Sequence, residues 1–135
     1  MKLISLEITN TLDCEIGYIE IRCVVKGELV GEIISISLKK LDENFVTVFE
    51  DYVWEGKELA NRSGIGVSSF IRYPGTSYLS IRIRSSVVNA QKDEGPYQCV
   101  FNGFDRNNGF YIEKSRVKKL NITGTCNTTI IHFVP

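Results

Sequence analysis

The sequence has little of the features that mark several large classes of protein. Its 135 residues carry 16 basic and 16 acidic side chains, so the formal net charge is zero, and no basic cluster is present. Proteins that bind nucleic acids rely on concentrated positive charge, so we expect no nucleic-acid partner. No apolar run reaches about 18 residues, so we expect no membrane insertion by this segment. The four cysteines form no C-x-x-C pair, which disfavours a zinc site.

The sequence also lacks a grouping of residues that would support catalysis. No arrangement of nucleophile and base surrounds the only histidine, His132. Gly64-Ile65-Gly66 superficially resembles a phosphate-binding loop, but the lysine and the strand–loop–helix context of that motif are missing. We therefore expect no enzyme activity, no cofactor and no metal.

Apolar and polar residues alternate along most of the chain, and helical periodicity is nearly absent. Ile34, Ile36 and Leu38, for example, are expected to share the inward face of one strand. Residues 55–61 are the one segment that could form a helical turn. Seven to nine short strands, separated by residues typical of turns, predict an all-β sandwich or barrel.

The clearest motif surrounds the third cysteine, where residues 93–99 read D-x-G-x-Y-x-C. Gly95 permits a tight turn, and Asp93 can pair with a basic residue across the bottom of a sandwich. Tyr97 can return its hydroxyl to the backbone of the preceding corner. Cys23 lies in phase with the inward face of its own strand. Together these residues resemble a V-type immunoglobulin domain, and the resemblance covers nearly the whole chain.

The resemblance implies a two-sheet antiparallel β-sandwich with Greek-key connections over residues 1–123, followed by a C-terminal extension or linker over residues 124–135. One departure from the family is Ile36, which stands where strand C usually has Trp. A second is the E–F connection, which is slightly long. The implied strands are A (3–9), B (17–26), C (33–39), C′ (45–50), D (65–72), E (77–84), F (96–102) and G (110–122).

The resemblance also implies how the cysteines pair. Cys23 and Cys99 would join the two sheets. Cys14, in the A–B turn, and Cys126, just after strand G, would meet at one end of the sandwich and tie the extension back, with two free thiols as the alternative. Disulfide-bonded sandwiches belong to oxidising compartments, so we expect a secreted or extracellular protein. The absence of an N-terminal signal segment, taken alone, would instead indicate the cytosol.

Three N-x-S/T sequons agree with an extracellular location. Asn61 lies in a predicted loop and is the best candidate for glycosylation. Asn121 is out of phase with its apolar neighbours and could face solvent. Asn127 follows in the C-terminal extension. Unmodified asparagine remains the alternative at each site.

Two segments are candidates for ligand binding. The F–G loop contains Phe104, Asp105, Arg106 and Asn107, a composition typical of recognition loops, although a plain solvated hairpin is the alternative. The second is Trp54, the only tryptophan, which would anchor a partner if exposed and plug the edge of the core if buried. We expect Trp54 to be buried.

The outward face of strands C, F and G is expected to be mostly small and polar. Antibody variable domains pair through this face using larger apolar residues. We therefore expect no obligate face-to-face dimer, and a monomer in sedimentation. The residues concerned are Ser35, Ser37, Lys39, Gln98 and Val100.

Three local phrases, at residues 34–38, 44–48 and 61–64, are similar to the immunoglobulin domains of molluscan fibrinogen-related proteins. This similarity implies a recognition module of a secreted invertebrate innate-immune lectin, which binds glycans or glycoproteins or spaces another binding domain. The chain would then be a monomeric fragment of a larger multidomain protein. The chief alternative is a module of a cell-adhesion receptor that binds another protein. A cytosolic filament-type immunoglobulin domain, with four free thiols, is a third possibility.

Overall fold

A computed structural model describes residues 3–10, 17–122, 125–126 and 130–131. Almost all of its regular structure is β. The described strands are β1 (Ile4–Asn10), β2 (Tyr18–Lys26), β3 (Val30–Lys40), β4 (Glu43–Val48), β5 (Val53–Glu55), β6 (Ile65–Phe70), β7 (Thr76–Arg84), β8 (Gly95–Asp105), β9 (Phe110–Lys114), β10 (Lys118–Leu120), β11 (Thr125–Cys126) and β12 (Ile130–Ile131). Single helical turns occur at α1 (Lys57–Ala60) and α2 (Ala90–Asp93), with 3₁₀ turns at Gly27–Leu29 and Ser85–Val87.

The strands form two main antiparallel sheets. One sheet has the order β1-β2-β7-β6, and the other has the order β10-β8-β3-β4-β5, with β9 also paired to β8. These orders correspond to A-B-E-D and G-F-C-C′-C″, the layout of an immunoglobulin-like sandwich. The predicted fold class is confirmed. A separate two-stranded ladder joins β11 to β12.

The core lies between the sheets because alternate side chains of each strand point inward. In β2 the buried positions recur at every second residue, and β7 opposes them in register. Cys23 and Cys99 form a disulfide across the core, with 5.7 Å between their Cα atoms. Ile36, at the position where tryptophan was the family expectation, is completely buried. An aliphatic side chain therefore occupies this position of the core.

The bottom corner of the sandwich is held by Asp93 and Tyr97. The carboxylate of Asp93 accepts two hydrogen bonds from the guanidinium of Arg62, and the Tyr97 hydroxyl donates to the Asp93 carbonyl at 2.7 Å. The hydrogen bond to Asp93 raises the pKa of the Arg62 guanidinium. The helical turn α2, in the E–F connection, ends at Asp93 and places it at this corner.

One inward-face prediction is wrong because β3 contains a bulge. Its register against β8 shifts between Ile33 and Ser35, which turns Ile33 inward and leaves Ile34 exposed. Beyond the bulge, Ile36 and Leu38 are buried as expected. A bulge inserts one residue into a strand and reverses the facing of everything on one side of it.

Several strand boundaries also differ from the predicted ones. The predicted G strand is two strands, β9 and β10, separated at Ser115, whose hydroxyl accepts a hydrogen bond from the Cys99 amide at 2.9 Å. The edge strand β5 and the helical turn α2 were not predicted. The turn α1 lies within the segment predicted to be helical.

The start of β1 is fixed to β9 by one carboxylate. Glu113 Oε2 accepts hydrogen bonds from the amides of Leu3 and Ile4 at 2.8 and 3.0 Å. Its other oxygen accepts from the Tyr111 hydroxyl at 2.5 Å. Burial raises the pKa of Tyr111 to about 12, and the hydrogen bond to Glu113 and the negative charge of Glu113 also contribute to this increase.

Several predictions lie outside the described residues. Cys14, Asn127 and His132 are among these positions, and the structure describes only the backbone of Cys126. The predicted Cys14–Cys126 disulfide therefore stays a prediction. In the part of the chain that the structure describes, no helix is long and apolar enough to cross a membrane.

Candidate functional site

The best candidate site lies on the outward face of the β10-β8-β3-β4-β5 sheet. Strand pairing places Ser37 between Val100 and Thr47, and Thr47 lies opposite Trp54. In the neighbouring row, Ser35 lies opposite Asn102. Because directly opposite residues share a face, these side chains form one continuous surface across the sheet.

The centre of this surface is polar and internally hydrogen-bonded. The hydroxyls of Ser37 and Thr47 are 2.8 Å apart, and the Asn102 amide donates to the Ser35 hydroxyl at 3.3 Å. Ser35, Ser37 and Thr47 are buried. They therefore form the floor of a depression, and this part of the face is small and polar as expected.

Aromatic side chains form the wall of the depression on its β4–β5 side. Phe49, Tyr52 and Trp54 line it together with the polar floor, and the groove has a volume of about 450 Å³. The rings of Phe49 and Tyr52 lie 6.0 Å apart between centroids. The Phe49 amide donates to the Tyr52 carbonyl at 2.7 Å, which closes the turn that carries both rings.

Trp54 is 39% exposed, so the expectation that it is buried is wrong. The physical reason is its place on β5, the edge strand of the sheet, which pairs only with β4. All three residues of β5 are exposed. An exposed tryptophan beside a groove is a typical anchor for a ligand.

The F–G hairpin borders the same face on its other side. Asp105 is mainly a turn residue: its Oδ1 accepts hydrogen bonds from the amides of Asn107 and Gly109, both at 2.9 Å. Phe104 packs edge-to-face on Phe110, with ring centroids 5.7 Å apart. Arg106 and Asn107 project from the tip and are exposed. Of the four predicted loop residues, Phe104 is therefore the one that extends the sheet surface.

Sequence reasoning missed several residues of this face. Ile112 lies opposite Asn102, and both Phe110 and Ile112 are exposed. The alternation of residues 110–114, with Tyr111 and Glu113 turned the other way, carried a signal for this arrangement. Asn102 and Tyr52 had no such signal, because their roles depend on how the strands pair.

Two of the predicted glycosylation sites lie in the described part of the chain. Asn61 is exposed at the end of α1, and Asn121 is exposed just after β10. Glycosylation at either position stays a prediction. Among the described residues, no group of three His, Cys, Asp or Glu side chains comes together in the way that a metal site requires.

Comparison with known proteins gives no assignment. No protein-family model matches this chain, and no curated protein matches its sequence significantly. The Cys23–Cys99 disulfide fits an extracellular domain, and the two-sheet architecture is compatible with an immunoglobulin-like domain.

Proposed function

We propose that this chain is a non-enzymatic extracellular recognition module that binds a glycan, free or on a glycoprotein, in the groove beside Trp54. The observation that carries this proposal is the combination of exposed aromatic rings with a polar floor. Such a groove on a rigid sheet is the usual form of a small-ligand site: a concave surface with apolar walls and a few fixed polar groups.

The chemistry of the groove suits a sugar ring. A pyranose has a face of C–H groups that packs on an aromatic ring, and Trp54 and Tyr52 supply exposed rings. Its hydroxyls need donors and acceptors, which Asn44 and Asn102 supply at opposite sides of the depression. A volume of about 450 Å³ lies within the usual range of small-ligand sites.

The resemblance of the sequence supports the same function. A V-type domain related to the immunoglobulin domains of molluscan fibrinogen-related proteins would be a secreted lectin component. The disulfide and the accessible Asn61 and Asn121 sequons agree with passage through an oxidising, glycosylating compartment. A second disulfide, Cys14–Cys126, is part of this proposal.

A glycan array tests the proposal directly. Wild-type protein should bind a restricted set of glycans, and Trp54→Ala should lose binding because the main stacking surface is removed. Phe70→Ala is the matched control, since Phe70 is an exposed aromatic residue on the other sheet. Absence of binding by the wild type, or equal loss in the two variants, would contradict a glycan site at this groove.

The second candidate function is adhesion to another protein. It is favoured by the exposed Phe110 and Ile112, which with Phe104 continue the apolar surface beyond the groove. A protein partner would cover this whole face, whereas a small glycan would occupy only the groove. Binding that Ile112→Asp abolishes as completely as Trp54→Ala would therefore favour the adhesion module.

A further inference from the structure

A second groove lies on the β1-β2-β7-β6 sheet, away from the proposed glycan site. It has a volume of about 750 Å³, and its walls include Arg82, Arg84 and Ser86. Arg82 and Arg84 are alternate residues of β7, so both side chains stand on the outward face. Their guanidinium groups therefore flank the same depression.

Gly66 makes room for a ligand beside these arginines. It lies directly opposite Arg82 in the β6–β7 pair. A Cβ atom added at Gly66 would meet no other atom within 4 Å, and its backbone has no positive φ. Neither packing nor backbone geometry therefore requires glycine here. A glycine inside a strand often marks a position that another molecule approaches closely.

Arg82 is held in place without using all of its donors. Its guanidinium stacks on the Tyr18 ring, 4.5 Å from the centroid, and its Nε–H points to Glu20 Oε2 at 3.5 Å. Among the described residues no further acceptor contacts Arg82, and none contacts Arg84. Both arginines line the groove, so their remaining donors are available to an oxyanion bound there.

In the described part of the chain, the acidic side chain beside these arginines is Glu20, and it is already engaged. Glu20 Oε2 accepts hydrogen bonds from the Ser80 hydroxyl at 2.5 Å and from Arg22 at 3.2 Å. Burial alone would raise its pKa, but the Ser80 hydrogen bond and the neighbouring arginines outweigh burial and lower it. Glu20 thus stays ionised and interacts with Arg22, Ser80 and Arg82. Among the described residues, the charges beside the groove therefore sum to a net positive value.

We propose that this groove binds a sulfate ester of an acidic polysaccharide. A tetrahedral oxyanion seated over Gly66 would accept hydrogen bonds from Arg82 and Arg84, with the Ser86 hydroxyl as a further donor. The choice of a polysaccharide as the carrier rests on the extracellular location in the proposed function. The groove itself lies on the opposite sheet, so the two sites are independent.

The test is calorimetric titration with a heparin-derived hexasaccharide at physiological salt. Arg84→Ala should weaken binding about tenfold because it removes a charged donor, and Gly66→Val should do the same by filling the groove without changing charge. Lys119→Ala, on β10 of the other sheet, removes the same charge and should change affinity less than about twofold. Trp54→Ala should leave this binding unchanged.

Several results would overturn the proposal. One is absence of binding by the wild type, and another is equal weakening by Arg84→Ala and Lys119→Ala, which would show attraction by net charge alone. The third is unchanged affinity of a Gly66→Val protein whose denaturation midpoint is at or above the wild-type value.

A desulfated hexasaccharide should bind at least about tenfold more weakly. Full competition by an equal concentration of inorganic sulfate would assign the site to a free oxyanion instead.

Discussion

At the scale of single residues, Asp93 links three parts of the fold. Its side chain is 1% exposed and its ion-pair partner Arg62 is 11% exposed. The second carboxylate oxygen also accepts a hydrogen bond from the Asn89 amide at 2.8 Å, which closes α2 on itself. A buried carboxylate in such a network is costly to disturb, because its partners would be left without compensation.

We predict that Asp93→Ala lowers the free energy of unfolding by about 3 kcal/mol, since it leaves the mostly buried Arg62 guanidinium without its counter-ion. Urea denaturation followed by circular dichroism measures the change. Asp51→Ala, at an exposed position, is the control and should change stability by less than about 0.5 kcal/mol. Equal effects of the two variants would show that the Asp93 interactions contribute no more to stability than an exposed surface residue does.

Two of the tyrosines with raised pKa values, Tyr97 and Tyr111, give a prediction for stability at alkaline pH. Burial raises the pKa of Tyr97, and burial together with Glu113 raises that of Tyr111 to about 12. The unfolded chain loses these protons near pH 10, whereas the folded chain keeps them. Their contribution to stability is therefore complete below about pH 10 and is lost as the pH rises through the folded-state pKa.

We predict that the free energy of unfolding falls between pH 10 and 12, and that Tyr111→Phe makes this fall less steep. Urea midpoints at several pH values across this window measure the slope. Tyr52→Phe, in which an exposed tyrosine is replaced, should keep the wild-type slope. If Tyr111→Phe also kept that slope, Tyr111 would not be a source of the pH dependence.

At the scale of elements, the alternation of residues predicted most strands but not how they pair. Strand β2 is clear in the sequence because every second residue is apolar over its whole length. The bulge in β3 cannot be recognised in the sequence, because Ile33 and Ile34 are both apolar and either could face the core. Pairing with β8 decides which of them does. Strand β5 is three residues long and exposed throughout, so the pattern contains no buried face to detect.

The candidate site was predicted only in part for the same reason. The residues around Trp54 stood out by composition, but their exposure depends on β5 being an edge strand. The sequence predicted the polar floor through Ser35 and Ser37. The depth of the groove comes from the aromatic residues of a neighbouring turn, which line the same groove only in the folded protein. The exposure of Trp54 and the depth of the groove both depend on how the strands pair in the folded protein, and local sequence patterns do not determine this pairing.

The attachment of β1 to β9 gives a prediction at this scale. Glu113→Gln should weaken the hydrogen bonds to the Leu3 and Ile4 amides, because an amide oxygen accepts less strongly than a carboxylate. Hydrogen exchange at these two amides should accelerate by about tenfold while exchange in β7 stays unchanged. Glu7→Gln, at an exposed position of β1, is the control and should leave both amides protected.

At the scale of the whole molecule, the Cys23–Cys99 disulfide holds the two sheets together. It closes a loop with a sequence separation of 76 residues, which restricts the unfolded chain strongly. We predict that the double substitution Cys23→Ala, Cys99→Ala lowers the free energy of unfolding by about 4 kcal/mol, measured by denaturant titration. A loss below about 1 kcal/mol would mean that packing around Ile36 alone sustains the sandwich.

The two outward faces of the sandwich have different chemistry. One presents aromatic rings and hydrogen-bonded hydroxyls around Trp54, and the other presents arginines around Gly66. A rigid, disulfide-linked core keeps both surfaces in fixed geometry, which reduces the entropy lost on binding. The two proposed sites therefore lie on opposite sheets and offer chemically distinct surfaces to their ligands.

The intrinsic fluorescence of Trp54 tests the central claim most directly, because it is the only tryptophan in the sequence and lines the proposed glycan groove. The experiment titrates a glycan selected on the array into wild-type protein, with Phe70→Ala titrated in parallel as the control. We predict a saturable blue shift in both proteins, since a bound sugar removes water from the indole ring. Unchanged Trp54 emission while calorimetry shows the same glycan binding would contradict the assignment of this groove as the recognition site.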